Sequence, residues 1–147
     1  DQPIHLASYN HANACDPVFV SGEYAFVTLR DGTTCQNFTN QLDVVDISDI
    51  DDPKLMKTFD MQHPHGLSVA GDKLYLCEGK HGMKSFNASN PLTVGDELLH
   101  HKKGFDAFDV IVISSTNMIV TGEDGIRQFS LNPETGHFQE ISIIHIQ

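Results

Sequence analysis

The chain has 147 residues, 20 of them acidic and nine basic, with a formal charge of −11 when histidines are neutral. The length fits one domain, the charge argues against nucleic acid and anionic membrane surfaces as direct partners, and no apolar run is long enough for a transmembrane segment. Cations, basic proteins or plain solubility suit such a charge.

A short strand-like run, HLASY at 5–9, opens the chain. One unit is then written three times. The first copy reads CDPVFVSGEYAFVTL and resumes, after an interruption, as LDVVDISDIDDPKLMKTF. The second is PHGLSVAGDKLYLCEGKHGMKSFNASNPLTVGDELL, the third AFDVIVISSTNMIVTGEDGIRQFSLNPETGHFQEISII. Val18, Leu67 and Val110 align at spacings of 49 and 43, whereas Leu42, Met83 and Ile126 align at 41 and 43. The first copy therefore carries an eight-residue insertion between positions 28 and 41.

Each copy divides into four short strands. The first and second (18–20 and 24–28 in the first copy) flank Gly22-Glu23, and their counterparts flank Gly71-Asp72 and the turn 114–117. Such turns between alternating runs predict antiparallel hairpins. The third strand starts at Leu42, Met83 or Ile126, and the fourth covers 54–59, 93–99 and 138–144. Between them, DISDIDDP, NASNP and SLNP supply turn chemistry, because Pro presets φ and Asp or Asn bonds nearby backbone. No stretch shows helical periodicity. The fold is all-β.

Four-stranded units repeated in tandem predict β-propeller blades, with an evenly spaced sandwich as the alternative. The chain divides into an outer strand of a preceding blade with its loop (1–14), a blade with the inserted loop (15–60), and two further blades (61–103 and 104–147). About three blades and one strand cannot close a ring of four to eight. Further blades are expected from the same, longer protein, or from another chain in a dimer.

The segments VSGEYAFV, LDVVDISDIDDPKLM and HPHGLSVAGDKLYLC resemble the LVIVD-repeat β-propeller family, with CDPV, PHGL, AFDV and GEDGI as signposts along the chain. More narrowly, they are similar to the C-terminal part of LVIVD-repeat lipoproteins of Gram-negative outer membranes. The resemblance implies an extracytoplasmic interaction module at the outer membrane or cell surface. It would be tethered by a lipid anchor outside this chain, with an envelope or outer-membrane protein as partner.

In a propeller, the loops entering the first strands and those joining second to third strands share one face. Cys15 and Cys35 fall on two such loops, which allows a disulfide of the kind found in oxidising compartments; two free thiols are the alternative. Cys77, within LYLC, is read as a small buried hydrophobe. Asp16, His65 and Asp109 stand near inner-strand entrances, and Arg30, Glu78 and Glu123 emerge where the second strands end. These six are the candidate ligand-binding residues, against a structural reading in which they bond loop backbone.

His63 and His65 are a candidate metal pair short of a full site, since zinc sites present three or four ligands; no metal or other cofactor is assigned beyond a candidate divalent cation there. Asp46, Asp49, Asp51 and Asp52 lack the EF-hand pattern and are read as a turn. His100 and His101 are read as solvent-facing. No GxSxG, P-loop or dinucleotide motif appears, and no catalytic residue is assigned. The expected function is a non-catalytic cell-envelope scaffold that binds protein or ligand. The alternative is a propeller hydrolase acting on an envelope glycan or peptide, using His65 with Asp16 or Asp109.

Overall fold

In the computed structural model, residues 2–8, 17–32 and 39–146 are described. Twelve strands form three antiparallel sheets, each of four strands in chain order. The first blade contains β1 (Val18–Ser21), β2 (Tyr24–Leu29), β3 (Gln41–Asp46) and β4 (Lys54–Asp60). The second contains β5 (Leu67–Ala70), β6 (Lys73–Cys77), β7 (Met83–Asn87) and β8 (Leu98–Lys102). The third contains β9 (Asp109–Ser114), β10 (Asn117–Gly122), β11 (Gly125–Leu131) and β12 (Phe138–His145). Gly22 and Gly71 close the first two hairpins at φ of 59° and 60°, a backbone region that side chains rarely adopt.

The inner strands β1, β5 and β9 stand side by side and line a shallow cavity through Val18, Val69 and Val110. The blades pack face to face. Phe26, Leu42, Val44 and Phe59 of the first meet Leu67, Leu74, Leu76 and Phe86 of the second. Tyr75, Cys77 and Met83 of the second meet Val110, Met118, Val120 and Phe129 of the third. The alternating pattern thus feeds two inter-blade cores, because successive residues of a strand point to opposite faces.

The same irregularity recurs in every blade. The register of the outer strand slips between Val44 and Val45, between Ser85 and Phe86, and between Gln128 and Phe129. One extra residue, Met56, Leu99 or Ile141, is left without a partner each time. These are β-bulges, which bend the strand and increase its twist.

One expectation differs from what is seen. The fourth strand of the second blade does not begin at 93: Pro91–Asp96 is a 3₁₀ helix, and β8 starts only at Leu98. Asn90 caps it by accepting from Leu92 N–H, with Pro91 at the first position, where its missing donor costs nothing. The helix lies on the first blade so closely that a Cβ on Gly95 would fall 2.3 Å from the Phe59 ring. Residues 2–8 pair with no strand among the described residues. Instead Ile4, Leu6 and Ala7 lie across the free face of the first blade, forming with Ala25 and Val27 a cavity of about 530 Å³.

The turn reading of the acidic segment agrees with the geometry. Asp46 accepts from Ser48 N–H and Asp49 from Asp51 N–H, and Asn87 and Asn132 make equivalent bonds in the other blades. The Ser48 bonds hold the Asp46 carboxyl below its ordinary pKa.

Candidate binding site on the loop face

The entrance to each inner strand is fixed by backbone bonds. Thr28 N–H donates to Pro17 O, His65 N–H to Cys77 O, and Phe108 N–H to Thr121 O. Two further bonds tie neighbouring blades at this level: Thr28 Oγ1 donates to His65 O at 2.8 Å, and Gly66 N–H to Phe108 O at 2.9 Å. His65 therefore sits where all three blades meet.

Its ring is held on both nitrogens. Arg30 Nη1 lies 2.5 Å from His65 Nδ1, and His63 Nδ1 lies 3.1 Å from His65 Nε2. A guanidinium has donors only, so His65 Nδ1 must accept and its proton sits on Nε2. His65 then donates to His63 Nδ1, which places the His63 proton on Nε2, directed at Asp31 Oδ1 3.5 Å away. One polarity runs through the chain Arg30, His65, His63, Asp31. Burial, then the positive charge of Arg30 and the neighbouring His63 ring, push the His65 pKa down to about 4. It is a neutral imidazole at pH 7.

Phe108 stacks on the outer side of His65, with centroids 5.3 Å apart. Below lies Gly79 at φ +54°, where a Cβ would meet His65 Nε2 at 2.9 Å. A cavity of about 570 Å³ opens over these groups, lined by Asp31, Gln62, His63, His65, Asp106 and Phe108 among others.

The six sequence candidates separate. Arg30 and His65 come into contact. Asp109 stands one step away: its Oδ1 accepts from Val110 N–H, and its carboxylate lies against Gly66, where any Cβ would be 1.9 Å from that oxygen. Glu123 is exposed beside Asp106; hydrogen bonding and repulsion from that carboxylate raise its pKa. Asp16 lies outside the described residues, as do Cys15 and Cys35 with their expected disulfide.

Glu78 is a correction. It does not emerge at the mouth but is wholly buried, with Lys84 Nζ 2.5 Å from Oε2 and Gln62 N–H donating to Oε1. Its role is structural, since a buried carboxylate is stable only when paired and hydrogen-bonded. Cys77 is buried and free, and burial raises its thiol pKa well above the ordinary value, which makes it inert.

Among the described residues, no group of three or more His, Cys, Asp or Glu is arranged to hold a metal ion. The His63–His65 pair also has the wrong surroundings. A metal-bound imidazole normally donates its other N–H to a carboxylate or carbonyl, whereas the other nitrogen of His65 faces Arg30. Asp31, Asp106 and Phe108 were missed as site residues. Phe108 is the position aligned with His65, so its place at the mouth was readable; Asp31 and Asp106 had no such marker.

The repeat behind this arrangement has a match. Residues 13–61 match the family model of the LVIVD repeat. That segment spans the first blade; the two blades after it share its strand order and its bulge. No curated protein matches the chain. None of the described helices is long and apolar enough to cross a membrane.

Proposed function

We propose that this chain is part of a non-catalytic propeller scaffold of the cell envelope, binding a protein or small ligand on its loop face. The observation that carries this reading is the open cavity over His63, His65 and Phe108. It offers an aromatic surface, amides and carboxylates on a rigid floor, the mixture typical of recognition sites. His65 supports binding better than proton transfer, because Arg30 and His63 occupy both of its nitrogens. The envelope location, and a lipid anchor outside this chain, rest on the likeness to LVIVD-repeat lipoproteins.

The test is NMR shift mapping of the chain with envelope glycan fragments and short envelope peptides, alongside an assay for their cleavage. Binding that perturbs Phe108 and His63, and that weakens in Asp106→Asn at unchanged thermal stability, supports the scaffold. Turnover that disappears in His65→Ala would overturn it in favour of the hydrolase.

A further inference from the structure

Away from the loop face, the turn between β11 and β12 docks onto the outer edge of the second blade. Ser85 Oγ donates to Gly136 O at 2.7 Å in a buried bond. Gly136 takes φ +73°, and a Cβ there would strike Leu99 Cδ1 at 2.6 Å. On this close approach the rings of His100 and His137 stack, with centroids 4.4 Å apart and planes 6° from parallel. His100 is thus half-buried in a joint rather than solvent-facing. Phe138 closes the joint, its ring centroid 4.5 Å from that of His100 and its N–H donating to His100 Nδ1 at 3.3 Å. That bond needs an unprotonated Nδ1, so neutral His100 carries its proton on Nε2.

We infer that the His100–His137 stack is a pH-sensitive clasp between the second and third blades, closed while both imidazoles are neutral and loosened when His100 is protonated. Protonation turns Nδ1 into a donor facing the Phe138 N–H, and sets a positive charge against His137. Nothing nearby offsets that charge. His101 and Lys102 flank the stack on β8, and Lys73 on β6 packs against Gly136 with its ammonium held by Asp72 at 2.6 Å. The cavity beside the stack is lined by the two imidazoles, Ser130, Asn132, Gln139 and apolar groups, with no carboxylate. Glu134, in the same turn, points to solvent.

Burial first, then His137, Lys102 and His101, hold His100 below its ordinary pKa. A histidine lowered in the folded state contributes fully above the unfolded value near 6.5, and loses that contribution as pH falls toward its folded value.

The experiment is an NMR titration of the imidazoles in the intact chain from pH 7.5 to 5, with hydrogen exchange of the Phe138 amide corrected for intrinsic rates. His100 is expected to titrate below 6.5. Phe138 protection should fall with the His100 titration, about tenfold for each unit by which its folded pKa is lowered. His137→Gln should move the His100 titration upward. His100→Gln, whose amide oxygen accepts at any pH, should leave Phe138 protection flat. A His100 titration near 6.5 with unchanged Phe138 protection down to pH 5, or the same acid loss in His100→Gln, overturns the clasp.

Discussion

The second and third blades carry the same four strands, yet their apolar positions meet opposite fates. In the second blade Leu74 and Leu76 are completely buried, because a blade lies against each face. In the third, Ile111 is 62% exposed and Ile144 69%, on the face with no neighbour among the described residues. The cross-strand pairs Ile111–Ile119 and Ile126–Ile144 show that this face is built like the buried ones. Amphipathic alternation therefore makes a strand suitable for a core, while the adjoining blade makes the core. An unpartnered blade is a blade all the same.

Four measurements would break or sharpen that contrast. The largest effect is expected at the buried pair of the middle blade. Lys84→Met strands the Glu78 carboxylate and should cost about 3–5 kcal/mol, read as a lower urea midpoint. Adding Glu78→Gln, which still accepts from Gln62 N–H, should recover most of the loss. Next is Leu74→Ala, where both flanking blades prevent collapse around the cavity; about 2–5 kcal/mol is expected in the same assay.

A third measurement concerns pH. With its folded pKa near 4, His65 favours the folded state fully above about 6.5, and this contribution drains away as pH falls from there toward 4. His65→Gln should flatten part of the thermal-stability profile across that window, and Arg30→Gln should narrow the window by removing one cause of the lowered pKa. The smallest effect belongs to the open face: Ile144→Ala should stay within about 0.5 kcal/mol. A loss comparable to that of Leu74→Ala would show that this face is covered in solution, and the contrast between blades would fail.

Sequence reading reached the repeat, the hairpins and the acidic turns because each depends on neighbours a few residues away. Val18, Leu67 and Val110 declare a shared inner strand through alternation alone. The same reasoning lost the 3₁₀ helix at Pro91–Asp96, although Asn90 followed by Pro91 is a helix-start signal; the repeat alignment outweighed it. Glu78 misled for another reason. It is grouped with Arg30 and Glu123 at the second-strand ends, whereas the spacings of 49 and 43 set it level with Leu29 and Thr121. Its burial depends on Lys84 reaching across from the adjacent strand. At the loop face the alignment located His65 and Arg30 but could not show that their side chains meet, since 35 residues separate them. The stacked pair at His100 and His137 depends on how two blades dock, which no local pattern encodes.

The recurring bulge has a consequence for how such a chain can change. Side chains alternate along a strand, so one unpaired residue reverses which face every later residue of that strand serves. Met56, Leu99 and Ile141 mark the points where this reversal is written into the outer strands. They work as punctuation in a copied text. Duplication of a whole unit preserves the phase, and an insertion between strands, like the one after Thr28, leaves it intact. Loss of a single bulged residue would instead join its two neighbours into regular alternation, so that each keeps its partner and its face and the strand loses only its bend and extra twist.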